Sequence, residues 1–244
     1  MHWPFEQFPK LSAIKVCRHV FVQRIPGIDV SDDKAEVLER LDAAHCEIRN
    51  ATGFGDWPLF SAQQVHGNKI AVLEKVGSAL RADRGRREAA SLHREFPACD
   101  GIITNQRGIA LGIYVADCCA VYIVDPKTPA MGLVHSGRKG TELGVVTNAI
   151  RKMTERFGSD PANMIVQLSP CIRPPHYEVD FAAEIIRQCR ALCVQHIHDS
   201  GTCTACDLHR YYSYRAEKGK TGRMLAVLGL DPLIANLVGK QPNQ

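Results

Sequence analysis

No run in the sequence approaches the ~18 consecutive apolar residues that a membrane-crossing helix needs, so no such helix is expected. The first ten residues, Met1 to Lys10, hold Trp, Phe and Pro but no continuous apolar stretch of the kind that marks a secretory leader, and a cytoplasmic location is the expectation. There is no large excess of one charge. Thirty Lys and Arg against 26 Asp and Glu leave a formal +4, which points to no polyanionic partner and argues against nucleic acid and membrane surfaces. The 13 Pro and 19 Gly are scattered, which excludes a low-complexity tail, and no internal repeat is present.

What is present is the make-up of an ordinary globular protein: 244 residues, 45% hydrophobic and 23% charged, enough for a sizeable core in one domain spanning 1–244. Ten cysteines are many. Without a secretory leader they are expected as thiols or metal ligands rather than disulfides.

The patterning alternates between strand and helix. Val16 to Ile25 reads as a strand, and Ser31 offers an N-cap for a helix running to about Arg49. Short β-branched runs follow at Ile70 to Val76 and repeatedly from Gly101 to Val134, separated by turn residues. Thr141 to Phe157 reads as an amphipathic helix stopped at Gly158, Met164 to Leu168 as a strand, and Phe181 to Gln195 as a second helix. Met224 to Leu230 is a last strand, with a short helix expected after it. Arg81 to Glu95 is the one strongly charged stretch; Asp83, Glu88 and Glu95 interrupt its basic residues, so it reads as a solvated helix or insertion. The class that follows is α/β: a three-layer sandwich on a mixed β-sheet covered on both faces.

Three segments place metal-ligand types at the ends of these strands: QQVHG with His66, VADCC with Cys118 and GLVHSG with His135. Two imidazoles and a thiolate satisfy a catalytic zinc, which takes three protein ligands and keeps a fourth position open. From residue types and spacing alone, a lone buried His or Cys is more often a core residue.

The neighbours of these residues carry a resemblance. QVHG (64–67), CDGIIT (99–104), ADC (116–118), HSGRKG (135–140), SPCI (169–172), YEV (177–179) and CT…YYSYR…TGR (203–223) occur in the order found in the YfiH/YlmD family. That family is also called the laccase-domain or multicopper polyphenol oxidase family, and the chain resembles it from about residue 15 to 230. The resemblance implies a YfiH-like fold, zinc held by His66, Cys118 and His135, and phosphorolysis of purine nucleosides such as adenosine or inosine, with adenosine deamination as a second activity. The implied partners are small molecules, a purine nucleoside and phosphate.

Two departures bear on substrate. Where the family reads His-Ala-Gly-Trp-Arg-Gly, Arg138 stands in place of Trp and Lys139 in place of Arg, so an aromatic wall is lost and a bidentate donor becomes a point charge. The segment between Val179 and Cys203 also lacks the family's Asp-Leu helix motif. The HSGRKGT turn joins a strand to a helix, so its amides, the helix dipole, Arg138 and Lys139 form a candidate phosphate site, with a plain glycine turn as the alternative. Arg40 aligns with a helix arginine that the family places near its substrate, with a surface helix arginine as the equal alternative. Asp100 and Asp117 flank the metal segments, and either could orient a ligand histidine or simply cap a turn.

His196, His198, Cys203, Cys206 and His209 form a second candidate cluster, with ligands enough for a closed structural zinc, against the alternative that Cys203 belongs to the CT pair of the resemblance and the others are loop residues. Cys119, Cys171, Cys189 and Cys193 read as small apolar residues or spare thiols. Three other functions compete with the nucleoside reading. Cys118 and His135 could be the nucleophile and base of a cysteine hydrolase. His2Cys can also hold copper, but multicopper oxidation needs several His-x-His pairs and this chain has one. The third is a zinc protein without catalysis.

Overall fold

The computed structural model describes residues 3–74 and 93–232. Most of the charged Arg81–Glu95 stretch and the expected C-terminal helix lie outside the described residues; His93, Arg94 and Glu95 belong to a short strand.

The first sheet contains β1 (Phe5–Glu6), β2 (Cys17–Val22), β3 (Leu59–Ala62), β5 (His93–Phe96), β7 (Ala110–Val115) and β12 (Met224–Leu230), in the order β1-β2-β12-β7-β3-β5. The second contains β4 (Ile70–Leu73), β6 (Gly101–Thr104), β8 (Cys119–Asp125), β9 (Ala130–Ser136), β10 (Ile165–Leu168) and β11 (His196–Asp199), in the order β11-β10-β8-β9-β6-β4. Both sheets are mixed: β7 is parallel to β3 and antiparallel to β12, and β6 is parallel to β4 and antiparallel to β9. The strands read from the sequence as one mixed sheet are thus divided between two, and the α/β class holds.

The division follows from the two-residue period of strands. Along β8, Ala120, Tyr122 and Val124 join a core with Phe21, Leu225 and Leu228 of the first sheet. The alternate residues Cys119, Val121 and Ile123 instead meet two helices, α4 (Val145–Phe157) and α5 (Phe181–Ala191). Every residue of β8, β9 and β12 is buried, because each of these strands is covered on both faces. After a single-turn helix, α1 (Pro9–Ser12), the helix α2 (Lys34–Ala51) lays Val37, Leu41 and Ile48 into the core of the first sheet.

Helix boundaries shift for local reasons. Asp33, not Ser31, caps α2, accepting from the amides of Ala35 and Glu36, while Ser31 is bound to Asp29. The expected helix from Thr141 is broken: a one-turn helix, α3 (Arg138–Glu142), ends before Gly144, whose φ of 72° starts α4 afresh. Gly158 terminates α4 at φ 71°, as expected from its position. α5 stops at Ala191, four residues short of Gln195, with Cys193 at φ 65°.

Two histidines sit wholly inside this core. His19 accepts from the Phe8 amide through Nε2 at 2.6 Å, and His45 lies against the Tyr114 ring. Burial depresses both pKa values from the ordinary 6.5 to about 4, with Arg49 adding to the effect on His45. As pH falls the unfolded chain therefore takes up these protons first, so their contribution is complete above pH 6.5 and is lost as the pH falls toward 4. The loss should reach about 3 kcal/mol per histidine. Denaturant unfolding from pH 7.5 to 4.5 should show this decline, with a shallower slope for His45→Gln; identical slopes would refute the assignment.

Candidate metal centre

The antiparallel placement of β9 against both β6 and β8 brings the C-terminal end of one strand beside the N-terminal ends of two others. At that edge lie His135 near the end of β9, Cys118 just before β8, Asp100 just before β6, and His66 in the loop leading to β4. The ligand atoms of His66, Cys118 and His135 all lie within 4.8 Å of one another. Cys118 Sγ is 3.9 Å from His66 Nε2, and the two imidazole rings meet edge to face with centroids 4.8 Å apart. A tetrahedral ion with Zn–S near 2.3 Å and Zn–N near 2.0 Å requires S···N separations of about 3.6 Å, so the donor set and its spacing fit a zinc-sized cation.

Asp100 organises the group. Its wholly buried carboxylate accepts from the backbone amides of His66 at 2.8 Å and Gly67 at 2.7 Å, and from His135 Nδ1 at 2.9 Å. Because a carboxylate only accepts, Nδ1 carries the hydrogen and Nε2 is left toward Cys118. Burial would raise the Asp100 pKa, but hydrogen bonds from His135, Gly67 and His66 outweigh it and hold the group below the ordinary carboxylate value. Asp117 does different work. Its carboxylate accepts from the Thr204 hydroxyl and the Arg215 amide, each at 2.7 Å, fixing the turn ahead of Cys118 without touching a ligand histidine.

The loops here are strained. Gln64, His66 and Asp117 take φ values of 63°, 58° and 79°, which non-glycine residues seldom adopt. The Gln64 amide offsets part of this cost by pairing with both the amide and the carbonyl of Tyr114, at 2.9 and 2.5 Å. Gly137 is required by proximity rather than by φ: a Cβ there would stand 2.5 Å from Cys118 Sγ.

Metal-free, the pair is electrostatically coupled. Burial alone would raise the Cys118 thiol, but His135 and His66 bring it down to about 6. His135, which burial would depress, is pushed up to about 9 by Cys118 and Asp100.

The expected substrate contacts are distributed differently. Arg138 is exposed and engaged with Glu142 at 2.9 Å and Glu178 at 3.5 Å. Lys139 is exposed and makes no ion pair among the described residues. Arg40 is held by Asp29, Asp32 and Glu36, none of them a candidate ligand. α3 is a single turn, so its dipole is weaker than that of the long helix expected. A residue not singled out in advance is Arg223, within the TGR motif. It is half-buried, its charge interacts with Cys118 and Asp117, and its guanidinium lies over the Tyr214 ring at 5.8 Å. The motif was visible in the sequence, but its position beside Cys118 was not.

The second cluster also regroups. Cys203 and Cys206 meet His176, whereas His196 and His198 lie elsewhere, lining a depression with Lys10 and Lys15. All ten cysteines are free.

The family described as multi-copper polyphenol oxidoreductase laccase matches residues 17–192 and 178–231. The chain belongs to that family. It is 28% identical to purine nucleoside phosphorylase YlmD of Bacillus subtilis, over 84% of this chain and 81% of that protein. It is 29% identical to the purine nucleoside phosphorylase Cgl2154/cg2365 of Corynebacterium glutamicum, over 84% and 85% respectively. The crystal structure of YlmD from Geobacillus stearothermophilus superimposes with a TM-score of 0.74, covering 94% of this chain and all of that one at 23% identity. The fold is thus that of the YlmD and YfiH proteins, and the His/Cys group is a candidate metal site.

In metal-free protein, alkylation of Cys118 should follow a thiolate with a midpoint near pH 6, measured by mass spectrometry. Asp100→Asn should move that midpoint upward, because His135 loses the carboxylate that favours its charged form. The same variant should cost about 3 kcal/mol of stability through its unsatisfied donors. An unchanged midpoint would show that Asp100 does not act through His135.

Proposed function

We propose that the chain is a zinc-dependent purine nucleoside phosphorylase acting on adenosine or inosine in the cytoplasm as one domain, with adenosine deamination as a second activity. The observation that carries this reading is the convergence of His66, Cys118 and His135 on one point, with His135 oriented by Asp100. The names of its relatives, as purine nucleoside phosphorylases, support the choice of substrate.

His66 Nε2, Cys118 Sγ and His135 Nε2 would hold zinc, which when bound supplies Lewis acidity to a substrate oxygen or brings the pKa of water to about 7. A phosphate oxygen forms the new bond to C1′ as the glycosidic bond breaks, and the base departs with the electron pair and takes up a proton. The chain's part is positional and electrostatic. Lys139, which makes no ion pair among the described residues, would offer phosphate a positive charge four residues beyond His135. Arg138 contributes less field, because Glu142 and Glu178 already balance it. Arg223 adds positive charge beside Cys118. Arg40, the other candidate substrate contact, would act with its charge partly balanced by Asp29, Asp32 and Glu36.

A second reading has its own support: the thiol lowered to about 6 beside an imidazole raised to about 9 is what a cysteine nucleophile and base would show. Zinc separates the two, because a metal-bound thiolate is not free to attack. In zinc-loaded protein Cys118 should be protected from iodoacetamide, and Cys118→Ala should lose one equivalent of zinc together with activity. Gly137→Ala, which pushes a methyl group against Cys118 Sγ, should lower zinc content as well.

Chromatography of incubations with adenosine, inosine, guanosine or methylthioadenosine should show free base and ribose 1-phosphate (or its methylthio analogue) only when phosphate is present. Lys139→Ala should raise the phosphate KM about fivefold, the effect of losing one exposed charge worth ~1 kcal/mol, with zinc content unchanged. Absence of phosphate-dependent product from all four nucleosides would refute the assignment.

A further inference from the structure

We infer that His176, Cys203 and Cys206 form a second site for a soft cation such as Zn2+, distinct from the His66, Cys118 and His135 group and independent of the nucleoside reading. His176 comes from the loop between β10 and α5; Cys203 caps a one-turn 3-10 helix, Thr204–Cys206, and Cys206 closes it. That turn puts both thiols on one side. His176 Nδ1 lies 3.8 Å from Cys203 Sγ and 3.5 Å from Cys206 Sγ, and the three ligand atoms fall within 4.8 Å of one another. The tetrahedral S···N separation of about 3.6 Å lies between the two observed values. Two thiolates and an imidazole select Zn2+ or another thiophilic ion over Ca2+ or Mg2+.

The backbone holding this group is well anchored. Cys203 bridges to Cys171, the Cys171 amide bonds to Thr202 and the Thr204 amide to Cys171. Ile172, four residues before His176, donates its amide to the Asp117 carbonyl. His176 and Cys206 are exposed and Cys203 half-buried, so an ion can enter from solvent. No fourth His, Cys, Asp or Glu joins the group among the described residues, which leaves one position for water. The site is also tied to the first. Thr204, between the two cysteines, donates its hydroxyl to Asp117, and Asp117 precedes Cys118. A cation bound here therefore pins the turn that presents Cys118.

The test is metal stoichiometry on the full-length chain expressed with zinc, backed by Co2+ reconstitution of the metal-free protein. Wild type should carry two zinc ions, the Cys203→Ser/Cys206→Ser double variant one, and Cys118→Ala one. Because two of the three ligand thiolates sit in the second site, the double variant should lose about two-thirds of the thiolate-to-cobalt charge-transfer absorption, and Cys118→Ala about one-third. His176→Asn should release the second ion, and His176→Cys should restore it with a stronger cobalt band, which a merely structural histidine would not do. His196→Ala/His198→Ala should leave both ions in place. Wild-type zinc content undiminished in the Cys203→Ser/Cys206→Ser variant, or a Cys203–Cys206 disulfide in protein purified with zinc, would overturn the assignment. A single zinc in wild type that Cys118→Ala retains and the double variant loses would instead count against the first site and leave this one standing.

Discussion

Everything at the candidate centre depends on a carboxylate that never reaches solvent. Asp100 is wholly buried at the start of β6, and its side chain gathers two backbone amides from the His66 loop and one ring nitrogen from His135, while its own carbonyl accepts the His135 amide at 2.7 Å. An ionised carboxylate in a core is costly unless its lone pairs are satisfied. Here the donors that satisfy it belong to the same residues that form the candidate metal centre, so the cost of burial and the precision of the site have one origin. The left-handed conformation of His66 is held by this interaction.

The second constraint is the passage between the sheets. β7 belongs to the first sheet and β8 to the second, and the chain crosses from one to the other in the three residues Ala116, Asp117 and Cys118. So short a connection requires the positive φ of Asp117, and Thr204, Arg215 and Ile172 hold that residue by its carboxylate and carbonyl. Cys118 is thus presented by a crossover that the packing of two cores over-determines. Gly137 completes the presentation by leaving room for the sulfur.

The altered HSGRKG turn changes electrostatics more than net charge suggests. Two basic residues stand there, yet Arg138 is drawn into a network with Glu142, Glu178 and Arg215, and Arg215 also lies over the Tyr177 ring at 5.2 Å. Lys139 makes no ion pair among the described residues, and Arg223 adds positive charge beside Cys118 from another direction.

Much of this molecule was legible from its sequence, for reasons local to the chain. The period-two runs marked the strands, Met224–Leu230 to the residue, and the apolar spacing and Gly158 marked α4 with its end. His66, Cys118 and His135 stood out because few residue types bind soft metals and each sat at the edge of a strand. Tertiary structure decided the rest. Whether a buried strand faces a second sheet or a helix cannot be read from alternation, since both faces are apolar, so two sheets look like one in the sequence. Asp100 and Asp117 look alike in sequence; only strand register gave the first a histidine and the second a turn. The same holds for His176, which sequence placed nowhere near a metal and which folding sets against Cys203 and Cys206 in place of the closer His196 and His198. Ligand type and period are properties of the chain, whereas contacts between distant segments are set by how two cores close on each other.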